Sequence, residues 1–580
     1  MESIKWAFQW SGKYKKSLFI SFGMSALFVG LIMIEPIIFS RIIDDVLLPG
    51  AYDGLMPLLI AAFCVGLLCM AAKYIGLLSQ ELVSQEVVRG MRRDLFAKII
   101  SQSPRYFRRN RSGDLINKCS GDVDTVRHFY CWVLPGIFEN ILVLIVALTI
   151  FIIIDPLYAL CLIVITPIAA VLGYKLGKKM RPVHDAVREQ RSALSTAVNE
   201  NINGIRVVKA FCREPYETEK FERENLKFRD AQILATKTWL KFAPYIESAS
   251  QFLGIVNIVI GGIMVITGRI TLGQMQIFLS LSWALNQPIL SMGMLINDAQ
   301  RFFAASEKLM EIHYSRNDVQ SPEEPEDHPK IAGNISFKDV SVRVDGTDIL
   351  KNINIEIKAG STVGFMGPTG SGKTVLASLI PRFMDVTRGA VLIDGVNTEH
   401  YILEDLRKSI GMTMQDVFLF SASVENNINY GDPDASEERI TQSAVAADAD
   451  NFVRKLSDGY ETIVGERGTG LSGGQKQRIS LARAILPQPT VLILDDTTSA
   501  VDMETETEIQ KQLKNLPFEI TTLIIAQRVS SIHHADRIFI IEDGCISEEG
   551  THEELLEKKG YYHKTWLLQQ GEYFGGVAHG

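Results

Sequence analysis

The chain has 580 residues, 47% of them apolar and 22% charged, with a formal net charge of −8 and a mean hydropathy of +0.12. Such a length holds several domains, and such a hydropathy excludes a single small water-soluble fold and calls for membrane spans. The seven cysteines (Cys64, Cys69, Cys119, Cys131, Cys161, Cys212 and Cys545) contain no Cys-x-x-Cys pair and no metal spacing, so single thiols are expected.

Residues 1–16 mix Trp6, Phe8, Trp10 and Tyr14 with Lys5, Lys13, Lys15 and Lys16, the pattern of an elbow helix lying on a membrane surface. The first apolar run is too long for a cleavable signal and lacks a small-residue cleavage site. Residues 17–314 are expected to form a transmembrane domain with spans at about 17–40, 55–78, 131–154, 157–177, 243–268 and 272–296, each of ~20 residues. Ile141–Ile154 is apolar on every face, unlike the striped helices of a soluble bundle. Glu247, Asn286 and Gln287 interrupt the last two spans.

The segments Ile42–Gly54, Asp155–Pro156 and Gly268–Thr271 contain a single basic residue, Arg269, whereas Arg89–Arg127 and Lys175–Lys241 are rich in Lys and Arg. The basic side faces inward, so both termini are expected in the cytoplasm of a multi-pass protein of the cytoplasmic membrane. Periodicity through Val87–Ile100 and Ala186–Phe221 predicts helices that run on past the bilayer. Their turns near Ser112–Asp124 and Phe211–Phe221 are expected to dock a cytoplasmic domain. The last helix should continue to Ile312. Residues 315–332 are polar, acidic and proline-bearing, which marks a linker. Over residues 333–574 apolar strands alternate with helices, as in a parallel α/β sheet, and 575–580 read as a disordered tail. No peptidase domain and no sizeable outer domain is expected.

Gly367-Pro368-Thr369-Gly370-Ser371-Gly372-Lys373-Thr374 fits Gly-x-x-x-x-Gly-Lys-[Ser/Thr], between an apolar strand at Thr362–Met366 and a helix predicted over Val375–Phe383. Glycines let backbone N–H groups approach a polyphosphate, and a helix start adds partial positive charge. Lys373 would then sit on the β- and γ-phosphates of a nucleotide, and the Thr374 hydroxyl on Mg2+. Further signals follow in a fixed order: Gln415 within Met412–Phe420, Gly465–Gly468, Leu471-Ser472-Gly473-Gly474-Gln475, the strand Val491–Leu494 ending in Asp495, Ser499–Asp502 and Leu523–Arg528.

These motifs and their order closely resemble the ATP-binding cassette of ABC transporters, and six spans before one cassette resemble a type IV exporter half-transporter. The resemblance covers essentially the whole chain. It implies a multi-domain protein: a six-helix α transmembrane domain with long cytoplasmic helical extensions, then an α/β phosphate-loop cassette. It also implies that Asp495 and Gln415 join Thr374 at the metal, Asp495 usually through water, and that Gln415 senses the γ-phosphate. Two cassettes meet head to tail in this family, so Leu471–Gln475 would contact a nucleotide held by a partner chain. Glu466 and Arg467 match the segment that couples nucleotide state to the membrane part.

Three positions depart from the family pattern. Asp496 stands where a glutamate usually polarises the attacking water, its carboxylate drawn back by about 1.5 Å, one carbon–carbon bond. Gln527 replaces the histidine that usually meets the γ-phosphate, and glutamine carries no positive charge. Val344 falls where an aromatic usually stacks on adenine. All three lie on the phosphate-loop side while the signature is intact. That resembles the degenerate-site subunit of a heterodimeric bacterial exporter, whose second half-transporter would supply the missing glutamate and histidine. Drift within a slow homodimer is the alternative.

Glu35, Glu139 and Glu247 fall inside expected spans, where a carboxylate is costly. They are candidates for a negatively lined cavity favouring drug-like amphipathic cations, or for pairing with basic residues of a partner. The expected activity is ATP-driven export of hydrophobic or amphipathic compounds, with membrane lipid as surroundings and no role for nucleic acid. A lipid or peptide exporter and a non-translocating regulatory ABC protein stay open as alternatives.

Overall fold

The structure, a computed structural model, describes residues 2–10, 12–241, 243–324, 331–465, 468–497 and 501–574. It divides into two units, Met1–Ile100 with Ser112–Ser315, and Ser101–Arg111 with Arg316–Gly580. The tail 575–580, linker residues 325–330 and the coupling pair Glu466 and Arg467 lie outside the described residues.

The first unit is helical. Its main elements are α1 (Glu2–Phe8), α2 (Lys15–Ile32), α3 (Glu35–Arg41), α4 (Leu55–Ile100), α5 (Leu134–Ile154), α6 (Pro156–Asn203), α7 (Glu214–Leu240), α8 (Ala243–Ile266), α9 (Leu272–Ser280) and α10 (Trp283–His313). Among the described residues, three helical stretches are both long and apolar enough to cross a membrane: Lys15–Leu47, Tyr52–Ile100 and Ser112–Ile154. α4 has 46 residues, about 69 Å at 1.5 Å per residue, more than twice a hydrocarbon thickness of about 30 Å. Helices extending beyond the bilayer are therefore present. α6, with 48 residues, is as long, and α7 packs along it.

Two expected spans are not single helices. Pro36 lacks the N–H that would bond to Ile32, so α2 stops there and Ile34 N–H turns back to the Leu31 carbonyl at 3.0 Å before α3 begins. Between α9 and α10, the Ser282 hydroxyl donates to the Leu279 carbonyl at 2.7 Å and competes with the helical ladder. α10 then runs to His313 with Pro288 inside it.

The N-terminal segment is tied to α4. Trp6 is buried, with its ring 4.9 Å from Trp10. Trp10 Nε1 donates to Asp94 at 2.7 Å, and the Tyr14 hydroxyl donates to Glu86 at 2.8 Å, both on α4.

The second unit holds two sheets. β1 (Ile335–Val344), β2 (Thr347–Ile357), β4 (Arg388–Ile393) and β5 (Val396–Asn397) form an antiparallel sheet in the order β2-β1-β4-β5. The other sheet runs β10-β9-β3-β8-β7-β6, comprising β3 (Thr362–Met366), β6 (Ile410–Thr413), β7 (Val491–Asp495), β8 (Thr521–Ile525), β9 (Arg537–Glu542) and β10 (Cys545–Gly550). It is parallel except for β10. The expected parallel sheet is thus joined by an antiparallel one. Helices α11 (Lys373–Leu379), α12 (Gly473–Ile485), α13 (Met503–Lys514) and α14 (Tyr561–Phe574) flank them. β3, β7 and β8 are buried apart from the half-buried Thr362, as a sheet covered on both faces requires.

α4 ends at Ile100, and the short helix Pro104–Arg109 belongs to the second unit, where Arg109 donates to Asp345 at 2.6 Å. Pro104 sets the turn by keeping Ser103 extended (ψ 156°). Ser112–Asp124 stays with the first unit.

Candidate functional site

β3 delivers the chain to Gly367, whose φ of +149° and contact with β9 leave no room for a side chain: a Cβ there would collide with the Ile541 carbonyl. Gly372 (φ +103°) turns the loop into α11 beneath Leu350. Lys373, the first residue of that helix, is buried, and its ammonium donates to the carbonyls of Gly367 at 2.9 Å and Pro368 at 2.8 Å. Burial pushes the Lys373 ammonium below its ordinary range, and the charges of Asp495 and Asp496 oppose that push.

β7 ends in Asp495, which is also buried. Burial raises its carboxyl, the Thr374 hydroxyl donating to it pulls the other way, Asp496 raises it further and Lys373 lowers it. Asp496 has φ +51°, in the left-handed region that aspartate tolerates better than most residues, and its N–H is pinned to the Ile525 carbonyl at 2.9 Å.

These groups converge. A cavity of about 300 Å³ is lined by Thr369, Gly370, Gly372, Lys373, Thr374, Gln415, Asp495, Asp496 and Gln527, together with Ile349, Val375, Ile525 and Ala526. The hydroxyl of Thr374, the carboxylate of Asp495 and the amide oxygen of Gln415 are hard oxygen donors of the kind Mg2+ prefers, so the residues fit that ion. Val344 instead packs, half-buried, against the core of the antiparallel sheet.

The signature stands outside this cavity. Ser472 caps α12: its hydroxyl accepts from Gln475 N–H at 3.3 Å, while the Gln475 side chain accepts from Ser472 N–H at 2.9 Å. Gln475 is thereby a capping residue. Ser472 and Gly473 are exposed at a helix N-terminus, a ready anion site.

The family description "ABC transporter transmembrane region" matches residues 18–289, and "ABC transporter" matches residues 350–499. The chain belongs to the ABC transporter family. An ATP-dependent lipid A-core flippase of Syntrophus aciditrophicus is 35% identical over 528 residues, covering 91% of this chain and 88% of that protein. A putative multidrug export ATP-binding/permease protein, YgaD, of Bacillus subtilis is 31% identical over 570 residues, covering 96% and 97%. In fold, the chain is similar to a bacterial Atm1-family ABC exporter solved with ATP bound, at TM-score 0.80 and 23% identity over 96% of this chain and 98% of that one. The ABC chain described here is thus a membrane exporter whose cassette is an ATPase coupled to transport.

Of the three acids expected in the spans of this ABC exporter, Glu139 has partners within the chain. Glu139 accepts from Lys73 at 3.0 and 3.1 Å and from the Ser25 hydroxyl at 2.8 Å. Its basic partner lies in the same chain. Glu35 is exposed at the start of α3, and the Glu247 side chain lies outside the described residues. Sequence reasoning missed Lys73, although a lysine within the 55–78 span was visible as an equal anomaly. It also missed Gln569 on α14, which holds the loop of Gln527 and carries no motif.

Proposed function

We propose that this chain exports amphipathic compounds across the cytoplasmic membrane as one half of a heterodimer. Its own phosphate-loop site retains ATP, and its signature serves a faster site on the partner. One observation carries the reading: Asp496 and Gln527 line the same cavity as Lys373, Thr374 and Asp495, in the places where the family holds glutamate and histidine.

Lys373 and the loop N–H groups bind and orient the phosphates, while Thr374, Asp495 and Gln415 would hold Mg2+. Bound Mg2+ supplies charge neutralisation on the phosphate oxygens. The shorter Asp496 holds its carboxylate back from the attacking water, and a misplacement of about 1 Å costs on the order of 10²-fold in rate. Gln527 offers the γ-phosphate a hydrogen bond without charge. On the partner's nucleotide, Ser472 and the α12 N-terminus supply donors and partial positive charge.

The relatives named for multidrug export and lipid flipping support an amphipathic cargo entering from the membrane. The basic connections support a cassette and both termini in the cytoplasm.

Purification tests the pairing. A homodimer of this chain hydrolysing ATP as fast as family members with glutamate and histidine would refute it. With the partner present, Ser472→Arg should abolish turnover, whereas Asp496→Asn should change it less than threefold; equal losses would contradict the asymmetric assignment.

A further inference from the structure

Lys73 and Glu139 make a salt bridge within the membrane part, yet neither is sealed away. Their side chains keep 36% and 23% of their exposure. The pair ties three helices: α4 gives Lys73, α5 gives Glu139, and α2 gives the buried Ser25 that donates to the same carboxylate. One aromatic ring lies against it. Lys73 Nζ lies 4.7 Å from the Phe28 ring centroid. On the proposed topology, Lys73 stands about 8 Å, and Glu139 about 12 Å, along the helix axis from the inner end of its span. Both therefore stand in the inner-leaflet half of a hydrocarbon layer about 30 Å thick.

Electroneutrality decides what such a pair can receive. In a poorly polar setting, a charge stripped of its partner is expensive. A cation taking Glu139 strands Lys73, and an anion taking Lys73 strands Glu139. A headgroup carrying both charges strands neither, because its anionic group replaces Glu139 on the ammonium while its cationic group replaces Lys73 on the carboxylate. The Phe28 ring beside Lys73 then offers apolar surface to the adjoining alkyl chain.

We propose that Lys73 and Glu139 form a headgroup subsite that selects zwitterionic amphiphiles over purely cationic or purely anionic ones. The proposal rests on the exporter reading above and supplies the charge class of its cargo. The shared chemistry is a paired anion and cation on one alkyl chain, whether the molecule is a membrane lipid or a foreign amphiphile.

The test uses the full-length chain in amphipol and three submicellar probes with one dodecyl tail: dodecylphosphocholine, dodecyltrimethylammonium and dodecyl phosphate. Wild type should bind the zwitterion at least tenfold more tightly than either other probe. Lys73→Gln should move the preference to the cation and Glu139→Gln to the anion. The exchanged pair Lys73→Glu with Glu139→Lys, which keeps the bridge, should restore the zwitterion. Competition by a zwitterionic phospholipid in nanodiscs indicates a lipid source, and its absence indicates a foreign amphiphile; either fits the subsite. A wild-type ranking without zwitterion preference, or a ranking that none of the variants alters, overturns the proposal. ATP-driven uptake into vesicles is scored separately. Uptake with an unaltered ranking rejects the subsite and leaves the exporter reading standing, whereas the predicted ranking without uptake does the reverse.

Discussion

Gln569 grips the loop of Gln527 from two sides. Its Nε2 donates to the Gln527 carbonyl at 2.9 Å, and its Oε1 accepts from Val529 N–H at 2.9 Å. α14 thereby fixes the backbone that aims Gln527 into the nucleotide cavity. Each such bond contributes on the order of 1 kcal/mol, so Gln569→Ala, which loses both, should shorten ATP residence in this site by up to roughly thirtyfold. Gln569→Glu keeps the bond from Val529 and loses the one to Gln527, so it should fall between. Release of labelled ATP from the purified chain measures both, and an unchanged release rate would sink the assignment.

Restoring the two departures that line the cavity should restore hydrolysis. Asp496→Glu extends the carboxylate by one methylene toward the attacking water, and Gln527→His returns a group able to carry charge. The double variant should raise the chain's own single-turnover ATP cleavage by about 10²-fold. A rate within threefold of wild type would mean that neither residue limits this site.

Much of this was readable from residue order, for physical reasons. β3 and β7 are buried apolar runs, and a phosphate loop between strand and helix has little conformational choice. The antiparallel sheet was missed although its signal was present: Asp345 and Gly346, both with positive φ, form the two-residue turn pairing Val344 with Thr347. The break after α2 followed from Pro36 and was read through, because apolar content dominates any span estimate. Lys73–Glu139 and Gln569–Gln527 were not legible. Their partners lie far apart in sequence, and only the packing of helices and strands sets such pairs side by side.

Arg109 and Asp345 join the short helix after α4 to the β1–β2 turn. The guanidinium beside Asp345 holds its carboxyl below the usual range. Both side chains are mostly exposed, so Asp345→Asn should barely change folding stability. It should loosen the segment that leaves α4 and enters the nucleotide unit. Basal ATPase should persist while stimulation by a transported amphiphile falls by half or more. Titrating ATPase against that amphiphile checks this, and a full response in the variant would contradict it.

His534 should make the nucleotide unit sensitive to acid. It lines a second cavity with Glu506, Lys514 and Asp536, and its Nδ1 is buried with no hydrogen-bond partner among the described residues. Burial pushes its imidazole down to about 4; the nearby His533 and Lys514 add to the push, and Asp536 opposes it. An unfolded histidine takes up its proton near pH 6.5, but the folded one does so only near 4. Between those values the unfolded chain binds more protons, so folding weakens as pH falls from about 6.5 to about 4. His534→Asn removes this contribution. The drop in melting temperature between pH 7 and pH 5 should shrink by about 2 °C or more, read by thermal unfolding of the full chain in amphipol. An equal drop in wild type and variant would show that the acid sensitivity arises elsewhere.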